Sequence, residues 1–194
     1  MCIRDRYYRI DKYTGGSMMI TIRIATIEDA VSIQKIYAPY VLNTTITFEL
    51  EPPTVKEMAN RIRHTLEKYP YLVAIEEGEV VGYAYAGTLY DRRAYDHSAE
   101  LSIYIDDSKR HKGIGHLLYN ALIDYLKRMN ITNLYGCITY PNDASIAFHE
   151  KYGFKEAAHF HECGYKFDRW LDVVYLEKRL EKTTAPFIPF KELC

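Results

Sequence analysis

Residues 99–129, AELSIYIDDSKRHKGIGHLLYNALIDYLKRM, decide the fold. Ala99–Ile105 reads as a strand. From Gly113 onward Leu117, Leu118, Ala121, Leu122, Tyr125, Leu126 and Met129 recur at helical spacing, so an amphipathic helix follows. Between the two lies Arg110-His111-Lys112-Gly113-Ile114-Gly115, which places glycines at a helix entrance just behind two fixed cations. Glycine lets backbone approach a ligand closely, and the first helical N–H groups have no partners inside the helix. The helix dipole adds to their attraction for an anion. Such a turn suits a pyrophosphate, with Arg110 and Lys112 supplying charge, although six residues alone equally fit an ordinary helix start beside a basic cluster.

Working outward, Ile20–Ile24 alternates as a strand, and Thr26 with Asp29 forms a capping box. The helix it opens should end near Tyr40 and bury Ala30, Ile33, Ile36 and Tyr37. Thr54 with Glu57, behind Pro52 and Pro53, opens a second helix through Met58, Ile62 and Leu66, which Tyr69-Pro70 stops. LVAIEEGEVVGYAYAG (72–87) reads as a hairpin turning at Glu77-Gly78. A loop from Thr88 to Ser98 precedes the deciding stretch. After it come a strand at Leu134–Thr139, a helix at Asn142–Tyr152 stopped by Gly153, and closing strands at Phe154–Phe160 and Leu171–Glu177. The order predicts a mixed α/β sandwich without repeats.

Composition narrows the function classes. Of 194 residues, 25 are Lys or Arg and 26 are Asp or Glu, and no long basic run offers a track for nucleic acid. No apolar stretch approaches the roughly 20 residues that span a bilayer. The cysteines Cys2, Cys137, Cys163 and Cys194 form no C-x-x-C pair, which argues against a zinc knuckle or disulfide framework and for a reducing, cytoplasmic setting. His159 and His161 share one strand face but have no third ligand at motif spacing, so no metal is expected. Residues 1–18, polar and unpatterned, are expected to be an extension outside the fold or foreign to the natural chain. Residues 183–194, with Pro186 and Pro189, should run irregularly over the surface.

The R-x-x-G-x-G turn, followed by Asn142-Asp143-Ala144-Ser145 and His149-Glu150-Lys151-Tyr152-Gly153-Phe154, resembles the GNAT acetyltransferases. RRAYDHSAE (92–100), YPNDASIAFHEKYGF (140–154) and GYKFDRWLDVVYLEKRL (164–180) are similar to their phosphinothricin and methionine sulfoximine acetyltransferase group. The resemblance spans Ile20 to Leu180. It implies the GNAT fold over residues 19–182, with a mixed, mostly antiparallel sheet whose central strands splay between flanking helices. It also implies acetyl-CoA as donor, the α-amine of a small amino acid as acceptor, direct transfer in a ternary complex, and a homodimer in which Trp170 and the tyrosines would serve.

The same resemblance assigns residues. The pyrophosphate turn is Arg110, His111, Lys112, Gly113, Ile114, Gly115 and His116. Asn142 and Ser145 lie by the pantetheine arm, and a backbone N–H around Ile103, Tyr104 and Ile105 meets the thioester oxygen. Glu100 takes the catalytic glutamate's position; by itself it reads as a solvated carboxylate at a strand entrance. His149 stands where many GNAT members carry a tyrosine that protonates the leaving thiolate. It could donate that proton, assist the base, or merely brace the helix, and Tyr152 is the competing acid. On the acceptor side, Arg92 offers a planar fork to a carboxylate or phosphinate, with Phe48 and Tyr95 lining the methyl-bearing end. Acetylation of a protein N-terminus or a polyamine, and a silent CoA-binding module, are the competing functions.

Overall fold

The computed structural model describes residues 19–180, 189–191 and 193. The proposed extension at 1–18 lies outside the described residues. In chain order the elements are β1 (Ile20–Ile24), α1 (Ala30–Asn43), α2 (Val55–Leu66), β2 (Tyr71–Glu76), β3 (Glu79–Thr88) and β4 (Ser98–Ile105). They continue with α3 (Ile114–Arg128), β5 (Asn133–Tyr140), α4 (Asp143–Lys151), β6 (Lys155–Lys166) and β7 (Arg169–Arg179). The strands form one sheet in the order β1-β2-β3-β4-β5-β7-β6. All neighbours run antiparallel except β4 and β5, which are parallel.

Both capping boxes form. The Thr26 N–H donates to Asp29 Oδ2 at 2.8 Å, opening a short 3-10 turn that leads into α1. The Thr54 N–H donates to Glu57 Oε2 at 2.7 Å, and Thr54 Oγ1 accepts from Glu57 N–H at 3.2 Å. α1 runs past Tyr40 to Asn43 and tolerates Pro39, because burying Tyr40 and Val41 continues its inward stripe. Glu77 (φ 52°) and Gly78 (φ 84°) turn the first hairpin as expected.

The helices divide between the two faces of the sheet. α1 and α2 pack Ile33, Tyr37, Met58 and Ile62 against Val73 and Tyr83 on one face. α3 lies on the other, where Leu117, Leu118, Leu122 and Leu126 meet Leu72, Ala84, Leu101 and Leu134. Each such leucine contributes about 1.5–3 kcal/mol through burial. Among the described residues of the tail, not all lie at the surface. Leu193 is fully buried in this second cluster, and the Lys191 N–H donates to Met129 O at 3.0 Å.

The last two strands exceed expectation. β6 continues to Lys166 and β7 begins at Arg169, joined by Phe167 (φ 52°) and Asp168 (φ 57°) in a turn with two left-handed residues. The feature that positions the site lies at the sheet's centre. β4 and β5 pair over only three residues, Ser98↔Asn133, Ala99↔Leu134 and Glu100↔Tyr135, and then part. β4 stays paired with β3 along its length, as β5 does with β7, so the opening lies between β4 and β5. Among the described residues no helix is long and apolar enough to cross a membrane.

Candidate active site

The parting strands bound a small cleft open to solvent, lined by Ile46, Leu101–Tyr104, Gly136–Ile138, Asn142, Ser145 and His149. The Asp106 N–H donates to Val81 O at 2.9 Å in the β3–β4 ladder. Alternation along an antiparallel strand then turns the backbone groups of Leu101, Ile103 and Ile105 away from β3, toward the opening. Ile105 is not available to a ligand as expected, because Tyr40 Oη donates to its carbonyl at 2.6 Å and lies 3.4 Å from its N–H. Tyr104 points its backbone at β3 and packs its ring edge-on against Tyr37 and Tyr40. Of the three, Ile103 alone presents an uncommitted N–H to the cleft.

The turn from Arg110 to His116 enters α3 through two left-handed residues, His111 (φ 64°) and Gly113 (φ 79°). Gly113 caps the helix without a side-chain bond, and the first turn of α3 carries no acidic residue. The Ile114 and Gly115 N–H groups therefore keep their pull on an anion. The flanking cations are more engaged than expected. Arg110 Nε lies 2.9 Å from Asp107 Oδ1, and its guanidinium covers the Tyr40 ring at 5.3 Å. Lys109 and Lys112 both pair with Glu76, a fully buried carboxylate at the end of β2. Glu76, unnoticed in the sequence, ties the turn to the sheet.

Asn142 caps α4, its Oδ1 accepting the Ser145 N–H at 3.2 Å. The Ser145 carbonyl in turn accepts from His149 Nδ1 at 2.8 Å, which leaves Nε2 as the unprotonated nitrogen. His149 is 3 % exposed, and Nε2 has no partner among the described residues. Burial pushes its pKa below the usual histidine range, and the bond to Ser145 only partly opposes this. A Cβ on Gly136 would lie 2.9 Å from Nε2, so glycine is required beneath the ring. Tyr152, the competing acid, is not in the cleft lining. Its hydroxyl donates to His116 O at 3.2 Å, and burial raises its pKa to about 12.

Glu100 and His149 lie on opposite faces of the sheet. Leu101 belongs to the α3 cluster, so Glu100, Ser102 and Tyr104 face α1 and α2. Gly136 shares its face of β5 with Leu134 and Ile138 of the α3 cluster, and His149 covers it from that side. Burial raises the Glu100 pKa, and the nearby Tyr175 partly offsets this. Tyr175 is the cross-strand partner of Cys137. Tyr175 belongs to no motif and gives no signal in the sequence.

On the same face, Phe48 packs its ring onto Gly164 of β6, where a Cβ would lie 2.1 Å away. Lys166, 3 % exposed, donates to Thr47 O at 2.8 Å, fastening the segment before α2 to the β6–β7 hairpin. Arg92 and Tyr95 stand together in the β3–β4 loop, the guanidinium 5.5 Å from the ring, with Tyr90 edge-on to Tyr95. Arg92 is exposed and Tyr95 half-buried. Beside His159 and His161, though not at motif spacing in the sequence, Asp172 of β7 supplies a third potential ligand atom.

Residues 22–175 match the family described as "Acetyltransferase (GNAT) domain". The chain is 32 % identical over 167 residues to phosphinothricin N-acetyltransferase of Streptomyces viridochromogenes, covering 86 % of this chain and 91 % of that one. It is 33 % identical to the L-methionine sulfoximine/L-methionine sulfone acetyltransferase of Salmonella typhimurium, covering 86 % and 98 %. The crystal structure of a phosphinothricin acetyltransferase from Sinorhizobium meliloti in complex with acetyl-CoA superposes with a TM-score of 0.82. The two share 35 % identity over 90 % of this chain and 98 % of that one. With its parted central strands and its glycine turn inside the matched span, the chain belongs to the GNAT family of N-acetyltransferases.

Proposed function

We propose that this acetyltransferase moves an acetyl group from acetyl-CoA to the α-amine of a small amino acid or analogue of the phosphinothricin and methionine sulfoximine class, by direct transfer in a ternary complex. The observation that carries this reading is the opening between β4 and β5, flanked by Glu100 on one face and the unpartnered Nε2 of His149 on the other. The described residues fit an acyl-CoA. The uncapped start of α3 suits its pyrophosphate, and the Ile103 N–H in the cleft suits a thioester oxygen. Acetyl-CoA supplies the activated acyl group, and the transfer needs no metal.

Glu100 removes the proton of the acceptor's ammonium, and its raised pKa narrows the gap to the α-amine near 8. His149 serves as a proton or hydrogen-bond acceptor rather than as the acid, because its Nε2 is the bare nitrogen and burial disfavours the imidazolium. The neutral amine attacks the thioester carbon, the C–S bond breaks, and the CoA thiolate leaves to take its proton from solvent in the open cleft. Arg92, with Tyr95 and Phe48, receives the acceptor's anionic group and its methyl-bearing end. Cys137 lines the cleft as an exposed residue, and desolvation of its thiol there raises its pKa, which favours direct transfer over an acyl-enzyme. The exposed Phe160, Tyr165, Phe167 and Trp170 of β6 and β7 support a homodimer, and cysteines without C-x-x-C spacing support a cytoplasmic setting.

Thiol release from acetyl-CoA, measured with phosphinothricin, methionine sulfoximine, methionine sulfone, spermidine and short peptides, tests the reading. Turnover on the amino-acid analogues alone is expected. Turnover on spermidine or peptides alone would discard the proposed acceptor pocket.

A further inference from the structure

His159 and His161 are two residues apart on β6 and project from one face. Asp172 meets them from β7. Its Oδ2 accepts from His159 Nε2 at 2.8 Å and from His161 Nδ1 at 3.0 Å, and its Oδ1 accepts the Glu162 N–H at 2.8 Å. The imidazole rings stack with centroids 4.3 Å apart, and the Tyr140 ring stands edge-on to His159 at 5.0 Å. One donor atom from each of the three side chains lies within 4.8 Å of the others. None of the three lines the cleft between β4 and β5.

We propose that His159, His161 and Asp172 form a binding site for a divalent first-row transition ion of the zinc class. Neutral imidazole and carboxylate are the donors such ions take, and two imidazoles with one carboxylate fill three of four tetrahedral positions, leaving one for water. With metal–donor bonds of about 2.0–2.2 Å, tetrahedral neighbours stand roughly 3.3 Å apart, so the histidine–aspartate separations open by about 0.3–0.5 Å while the two histidine nitrogens, within 4.8 Å of each other, draw together. Rotation of the largely exposed His161 side chain would supply the larger change. The Glu162 N–H, held at a left-handed residue in the bulge between Phe160 and Gly164, keeps Asp172 oriented as an outer-shell partner does. The site is also reachable: the His161 side chain is 74 % exposed, while His159 and Asp172 are about one-quarter exposed. A bound ion would tie β6 to β7 where the bulge interrupts their pairing.

The competing account is a cluster held by hydrogen bonds alone, and zinc titration separates the two. The full chain, stripped with a chelator and dialysed, is titrated with zinc chloride by calorimetry, and its thermal midpoint is followed alongside. Wild type should bind one equivalent and melt higher with zinc present. His161→Ala, at a mostly exposed position, and Asp172→Asn should each weaken binding by more than the roughly 10- to 100-fold that loss of an outer-shell partner costs. His64→Ala, at an exposed histidine on α2 beside Glu67, should bind as wild type does. Absence of zinc binding up to millimolar concentration would overturn the site. Equal binding by wild type and both cluster variants would overturn it as well.

Discussion

Placing a methyl group on Gly136 tests how His149 is held. The new Cβ would stand 2.9 Å from His149 Nε2 and 3.1 Å from Cδ2, against an optimal carbon contact of about 3.5–4.0 Å. The ring would have to retreat by about half an ångström. Its retreat is restricted: Ser145 O holds Nδ1, and Tyr119, Phe148 and Phe154 pack edge-on around the ring. Overpacking of this kind costs about 1–3 kcal/mol, or roughly 2–12 °C of melting temperature in a chain of this size. In a His149→Ala background the methyl meets no ring. Gly136 has no left-handed backbone requirement, so Gly136→Ala should then be neutral or stabilise by about 0.4–1 kcal/mol through the unfolded chain. A double-mutant cycle read by denaturant unfolding should return a coupling of at least about 1 kcal/mol. Equal destabilisation in both backgrounds would show that His149 is not what the methyl strikes.

Glu100→Gln should lower kcat by about 10²- to 10⁴-fold with little change in the KM for acetyl-CoA, and unchanged turnover would remove Glu100 from the mechanism. Because burial raises the Glu100 pKa, the wild-type acid limb should lie above the ordinary carboxylate range, and the variant should lack that limb. His149 titrates lower folded than unfolded, so the unfolded chain takes up its proton first as pH falls through about 6.5. Wild type should therefore lose stability relative to His149→Phe by up to about 1.4 kcal/mol per pH unit from there down to the folded pKa. Parallel pH–stability curves would refute this. Cys137→Ser should keep its turnover, and intact mass after incubation with acetyl-CoA alone should show no acetylated wild-type protein; an inactive variant with an acetylated wild type would replace direct transfer by an acyl-enzyme.

What could be read from the sequence was local. The apolar stripe of α3, the glycine turn before it, both capping boxes and the Glu77-Gly78 hairpin each announce themselves within a few residues. The turn at Phe167-Asp168 was missed because neither residue is the glycine or asparagine that such left-handed positions favour. Other misses depend on register. Glu76 looks like one of several solvated acids until β2 brings it between Lys109 and Lys112. Asp172 joins His159 and His161 only through the pairing of β6 with β7. For Leu193, no pattern in a proline-containing tail predicts a return to the core.

The placement of Glu100 and His149 on opposite faces has a chemical consequence. Burial, partly offset by Tyr175, raises the Glu100 pKa, and burial, partly offset by Ser145, lowers that of His149. Burial moves both toward their neutral forms, raising the acid and lowering the base. A contiguous sheet would seal these two environments from each other with a ladder of hydrogen bonds. Because β4 and β5 part after Glu100↔Tyr135, the ladder ends at Glu100, and His149 lines the cleft that opens beyond it. In the proposed transfer, the short parallel pairing would thus let a group from each face act at one strand junction.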